Sequence, residues 1–129
     1  MKRLEREFSP RGVSFWFVYP NATETSLTIS AHLVAYGVRA EQKLTDPDGR
    51  LRKLTAADTT PEAAIVVREG TGVRTVYVGR VDDKNLSLGT ERPTATRHDL
   101  EEALAAVLAG RSVPKPGGPP VGCYFVTRR

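Results

Sequence analysis

A chain of 129 residues, 40% hydrophobic and 26% charged, has the size and composition of one globular domain, long enough to bury about two-thirds of its unfolded surface. Its net charge of +4 comes from 19 basic and 15 acidic residues scattered along the chain, without the basic face interleaved with aromatics that marks a nucleic-acid protein. A single cysteine, Cys123, excludes an internal disulfide and a cysteine zinc cluster, and no run approaches the ~18 apolar residues of a membrane span.

Residues 2–8 carry Leu4 and Phe8 four apart with charges between them, which predicts the last two turns of a helix, stopped by Ser9-Pro10-Arg11-Gly12. Charges recur through this N-terminus and no apolar signal region follows, so the sequence as written is expected to stay in the cytoplasm. Val13–Tyr19 is rich in aromatic and β-branched residues and nearly continuous in hydrophobicity, predicting a strand covered on both faces. Thr25 or Ser26 can cap a helix to Tyr36, with Leu27, Ala31 and Val34 on one stripe and Gly37 as the stop. Gln42–Thr45 reads as a short extended piece and Asp46-Pro47-Asp48-Gly49 as a turn. Arg50–Ala57 reads as a short helix packing Leu51 and Leu54.

Thr60-Pro61 then leads into Ala63–Val67. A proline opening a core strand is unusual, because it brings no N–H to the ladder, and a cis bond is one expectation there. Ala63–Val67 and Val73–Val78 form a hairpin joined by Arg68-Glu69-Gly70-Thr71-Gly72. Gly79–Pro93 reads as a loop. Thr96, three residues before Asp99, resembles a capping box. It opens a helix whose apolar face is Leu100, Ala103, Leu104, Val107 and Leu108 and whose end is Gly110. Ser112–Pro120 holds four prolines and two glycines and behaves as a semi-extended tether. The apolar stretch Val121–Val126 beyond it is expected to dock back on the body. This order of elements predicts an α/β layered sandwich with a mixed sheet.

Few side chains offer chemistry. His32 and His98 lie far apart without ligand spacing, and each is expected on a helix surface. Asp82-Asp83 and Glu101-Glu102 are neighbours that point apart on a strand or helix, so solvated surface is the expectation. Cys123 has two readings: a reactive thiol on an accessible tail, or a small apolar residue packed beside Val121, Tyr124 and Phe125. No basic residue lies within four positions of it to lower its pKa.

Taken in order, Arg11-Gly12-Val13 to Tyr19-Pro20, Thr59-Thr60-Pro61-Glu62-Ala63, Tyr77-Val78-Gly79-Arg80-Val81-Asp82-Asp83, and Thr96-Arg97-His98-Asp99-Leu100 through Gly110 to Val121-Gly122-Cys123 resemble the thioredoxin-like redoxin family. The similar proteins are bacterial redoxins related to thiol-specific antioxidant and alkyl hydroperoxide reductase proteins. The resemblance implies a thioredoxin-like three-layer sandwich over residues 1–111, with 112–129 as a proline-rich tether and apolar tail. It also implies thiol-disulfide oxidoreductase or antioxidant activity without a bound cofactor or metal, and a thiol or disulfide protein as partner. Thr60 and Pro61 carry over as substrate-facing positions of the cis-proline loop.

Family members begin with a strand and a cysteine motif at a helix N-terminus, where backbone N–H groups and the helix dipole lower the thiol pKa. Here Lys2–Phe8 matches the helix that follows that motif, so the domain is expected to be N-terminally truncated and not itself a dithiol catalyst. Relatives are often exported, through a signal that would lie upstream. The missing strand would sit between Val13–Tyr19 and Ala63–Val67. Its loss predicts direct pairing of those strands, exchange with a second copy, or marginal stability, with self-association through unpaired edges. Two functions stand side by side: a thiol-redox domain, and a non-catalytic thioredoxin-like protein-interaction domain or relic.

Overall fold

The computed structural model describes residues 2–19, 31, 42–46, 48–60, 62–87, 89–121 and 123–124. These form a mixed α/β structure of three helices and eight short strands, divided between two compact units, Met1–Arg50 with Val126–Arg129 and Leu51–Phe125.

In the first unit, helix α1 (Lys2–Phe8) runs into a 3-10 turn over Ser9–Arg11. Gly12 closes the turn with φ +93° and donates its N–H to the Ser9 carbonyl at 3.1 Å. The i, i+4 pair Leu4 and Phe8 is buried as its spacing requires. Strand β1 (Phe17–Tyr19) lies parallel to β2 (Lys43–Thr45), with Val18 opposite Leu44. Two expectations fail here. Residues 13–16 adopt no regular strand. The run is also not covered on both faces, since Trp16 is 56% exposed while Tyr19 is buried. Alternate side chains of an extended chain point to opposite faces, and only one face is packed. Gln42 is buried, and its side-chain amide donates to Glu5 Oε1 at 2.8 Å and to the Phe15 carbonyl at 3.4 Å. The turn at 46–49 forms, with Gly49 at φ +73° and its N–H on the Asp46 carbonyl. The helix expected from Thr25 or Ser26 to Tyr36 lies outside the described residues apart from Ala31, which is helical.

The second unit begins with helix α2 (Arg50–Thr55). It buries none of its residues and leaves Leu54 exposed, against the expected packing. Strand β3 (Thr59–Thr60) follows, then the antiparallel ribbon of β4 (Ala63–Glu69) and β5 (Gly72–Gly79). The expected five-residue connection shortens to Gly70-Thr71, with Gly70 at φ +62°, a conformation that glycine adopts without strain. A register shift follows Ile65. Ile65 and Tyr77 are directly opposed and both buried. Val66 and Val73 are exposed, so β4 is a one-faced ribbon strand, not a buried core strand. Between Gly79 and Pro93 the expected loop contains a small ribbon of β6 (Asn85–Ser87) and β7 (Thr90–Glu91).

Helix α3 (Asp99–Leu108) packs against β5 and buries Leu100, Ala103, Leu104 and Ala106. Its N-cap, His98, makes no side-chain cap bond. The proline-rich segment has neither helix nor strand, and β8 (Cys123–Tyr124) then pairs antiparallel with β3. Docking of the tail is therefore as expected. In place of the expected mixed sheet, the described residues form four two-stranded sheets, one parallel and three antiparallel. The two strands expected on either side of a missing one each have a partner of their own, β2 for β1 and β5 for β4.

Candidate functional site

The positions singled out in the sequence meet on one ribbon. In the β3–β8 ladder Thr59 is opposite Tyr124 and Thr60 is opposite Cys123. Directly opposed residues of an antiparallel pair have Cα atoms about 4.5–5.5 Å apart. Pro61, and with it the expected cis bond, lies outside the described residues. Glu62 reaches back to the start of β3. One oxygen of that carboxylate accepts the N–H groups of Asp58 at 3.0 Å and Thr59 at 3.3 Å. The buried Thr59 hydroxyl donates to Asp58 Oδ1 at 2.9 Å. A carboxylate reaching back over four residues thus fixes the backbone direction of β3 on the approach to the proline.

The tail reaches β3 through a polar anchor that sequence reasoning missed. Asp99, the first residue of α3, is 2% exposed. Its Oδ2 accepts the Arg80 Nε–H at 2.6 Å, and its Oδ1 accepts the Gly117 N–H at 2.9 Å. Arg97 adds a second guanidinium at 3.7 Å. Burial pushes the Asp99 carboxyl up, but the Gly117 N–H, the Arg80 hydrogen bond and charge, and Arg97 outweigh it and hold the group below its ordinary value. Arg80 is itself positioned by Tyr77, whose hydroxyl donates to the Arg80 carbonyl at 2.6 Å. Burial, followed by the nearby Asp99 charge, pushes that phenol up to about 12.

A second buried carboxylate joins the loop after β5 to the approach to α3. Asp83 was expected on the surface, yet it is 6% exposed. It accepts the N–H groups of Thr96 at 2.6 Å and Arg97 at 2.8 Å, together with the Thr96 hydroxyl. Arg92 donates to its carbonyl at 3.1 Å. The Thr96 hydroxyl bond and the Arg97 N–H hold the Asp83 carboxyl far below the usual carboxylate range. Thr96 therefore serves Asp83 and is not the cap of α3. The adjacent-carboxylate reading failed because Asp83 turns inward where the chain bends, so its neighbour's exposure says nothing about it.

His98 is exposed, but at the N-cap before α3 and not on a helix surface as expected, whereas His32 lies outside the described residues. Among the described residues no group of three or more His, Cys, Asp or Glu is arranged to hold a metal ion, and no helix is long and apolar enough to cross a membrane.

No protein-family model matches the chain, and no curated protein matches it. Solved structures do. An uncharacterized conserved protein from Geobacillus kaustophilus is similar at 27% identity with a TM-score of 0.75, over 98% of this chain and 66% of that one. A hypothetical protein from Sinorhizobium meliloti shares the fold at 24% identity with a TM-score of 0.71, over 98% of this chain and 68% of its own. The chain thus spans about two-thirds of the length of these neighbours.

Proposed function

We propose that this chain is a thioredoxin-like redoxin domain whose Thr60 and Pro61 face a thiol or disulfide protein partner. It belongs with thiol-disulfide oxidoreductase or antioxidant chemistry and is not a dithiol catalyst by itself. The observation that carries this reading is the β3–β8 register, which sets the one cysteine of the chain opposite Thr60. The order of elements supports it: a helix end, β1 parallel to β2, an extended segment entering a proline, an antiparallel ribbon and a helix packed on it.

The chemistry open to such a site is a single thiol-disulfide exchange. The Cys123 thiolate attacks one sulfur of a partner disulfide, the partner S–S bond breaks, a mixed disulfide forms, and the second partner sulfur leaves as thiolate. Release then needs a thiol from outside this chain. The second reading, a non-catalytic thioredoxin-like interaction domain, is favoured by the occupation of the β3 edge by the chain's own β8.

Glutathione disulfide is the probe that separates the two. The native protein is expected to gain one glutathione by intact mass, Cys123→Ser none, and neither is expected to accelerate insulin reduction by dithiothreitol. An adduct that forms only after unfolding would leave the interaction reading. Acceleration of insulin reduction would overturn the claim that the chain lacks dithiol turnover.

A further inference from the structure

The β4–β5 ribbon has two unlike faces. Ile65 and Tyr77 are opposed on one face and buried. Alternation along β4 puts Val66 and Arg68 on the other, where their ladder partners are Thr75 and Val73. There Val66 is 40% exposed and Val73 50% exposed. As diagonal neighbours across the ladder, the two valines stand about 7–8 Å apart. Helix α2 extends this face. The Thr75 hydroxyl donates to the Leu54 carbonyl at 3.0 Å, which brings Leu54, itself 41% exposed, beside the Val66–Thr75 pair.

The charge around these three apolar side chains is positive. Arg68 is exposed on the ladder pair that holds Val73, and the exposed Lys53 precedes Leu54 in a helix without an acidic residue. Glu69, the one acidic side chain of the hairpin, is held by Arg74 at 2.6 Å.

We propose that this face of the ribbon docks an acidic amphipathic helix of a partner protein. The apolar stripe of that helix lies on Val66, Val73 and Leu54, and its carboxylates meet Arg68 and Lys53. The surface is independent of the thiol-exchange reading above. Sheets in layered α/β domains bury an apolar face under helices. Side chains three and four apart on a helix are about 5–6 Å from one another, which suits the spacing of the two valines. An anionic lipid surface fits less well. Interfacial anchoring draws on large apolar or aromatic side chains and on clusters of about 4–8 basic residues, whereas this face offers two valines, one leucine and the cations Arg68 and Lys53.

The probe is a dye-labelled peptide of three repeats of Glu-Leu-Glu-Glu-Leu-Ala-Glu, titrated with the full chain and read by fluorescence anisotropy. It is expected to bind with a Kd of roughly 10–100 μM and to weaken as salt rises. Versions with Lys for Glu, or Ser for Leu, are expected to bind at least about tenfold more weakly. Val66→Ser with Val73→Ser, and separately Lys53→Glu with Arg68→Glu, are each expected to lower the affinity at least about tenfold. All four side chains are exposed, so urea midpoints are expected to stay near wild type. Arg111→Glu with Lys115→Glu makes the same charge change at other exposed positions and is expected to leave the affinity unchanged. A peptide that does not bind below about 1 mM, that binds the ribbon variants as tightly as wild type, or that loses as much affinity to the Arg111 and Lys115 changes overturns the proposal. Sedimentation with phosphatidylserine–phosphatidylcholine vesicles is run in parallel. Vesicle binding that is lost with Lys53→Glu and Arg68→Glu, in a protein that ignores the peptide, assigns the face to lipid and also overturns it.

Discussion

Tyr77→Phe tests whether the end of β5, and with it the Arg80 side of the Asp99 anchor, depends on one hydroxyl. The substitution keeps a ring that is 4% exposed and deletes a donor 2.6 Å from the Arg80 carbonyl. Deleting one partner and leaving a part-buried acceptor unmatched costs about 1–2 kcal/mol. For a chain of this length that is about 3–8 °C in Tm. The pH dependence gives a second, independent reading. Burial, then Asp99, pushes the folded phenol up to about 12, whereas a tyrosine in the unfolded chain ionises near ~10. A folded pKa above the unfolded one means the stabilisation is fully present below about pH 10 and is lost as pH rises through about 12. The gap between wild type and Tyr77→Phe is therefore expected to narrow over that window, because the phenylalanine protein has no such group to lose. Urea unfolding followed by far-UV circular dichroism at neutral and alkaline pH measures both quantities. Equal midpoints at neutral pH, or a gap that stays constant through the alkaline window, would refute the reasoning.

Two further outcomes follow from the packing and the electrostatics. Leu104→Ala, in the face of α3 that is buried in the second unit, is expected to cost about 2–5 kcal/mol, read from the urea midpoint with an unchanged slope. Asp83→Asn is expected to flatten the acid limb of stability. The Asp83 carboxyl is held low in the folded chain, by the Thr96 hydroxyl first, so its contribution is present above the ordinary carboxylate value and is lost as pH falls through the folded one. Denaturation midpoints from neutral to acid pH measure it, and an identical acid limb in the variant would show that the Thr96–Arg97 turn does not depend on that charge.

The features legible in the sequence are those whose cause is local. Leu4 and Phe8 are one turn apart, Asp46 to Gly49 close a turn among themselves, and Leu100, Ala103 and Leu104 of α3 repeat at helical spacing, although Leu108 of the same expected face is exposed and the connection after β4 is two residues and not five. What the sequence could not show depends on partners with no fixed spacing. Asp83 meets Thr96 and Arg97 thirteen and fourteen residues away, and Asp99 meets Gly117 eighteen residues on and Arg80 nineteen residues back. Nothing periodic marks those pairs, so Asp83 read as surface and Thr96 read as a cap. The reading of β1 as covered on both faces, and of β4 as a core strand, has the same root. Hydrophobic content reports how apolar a segment is, but only alternation within the packed structure decides which of Trp16, Val18 and Val66 are left outside.

The tail shows why directional groups matter more to the site than the apolar content that first suggested docking. An apolar stretch gains from any burial, and its apolar content alone names no partner atom, although a one-residue slide reverses the face of every side chain. A buried carboxylate that must accept one particular N–H at 2.9 Å admits no such slide. Arg80–Asp99, with side chains 18% and 1% exposed, contributes little net stability as a partly buried ion pair, because desolvation offsets most of the attraction. Its effect is to hold Asp99 charged and aimed at Gly117. Six residues beyond Gly117 the chain enters β8, and the register that sets Cys123 opposite Thr60 is counted from that fixed point. Loss of the anchor is thus expected to change where the cysteine sits before it changes how stably the domain folds.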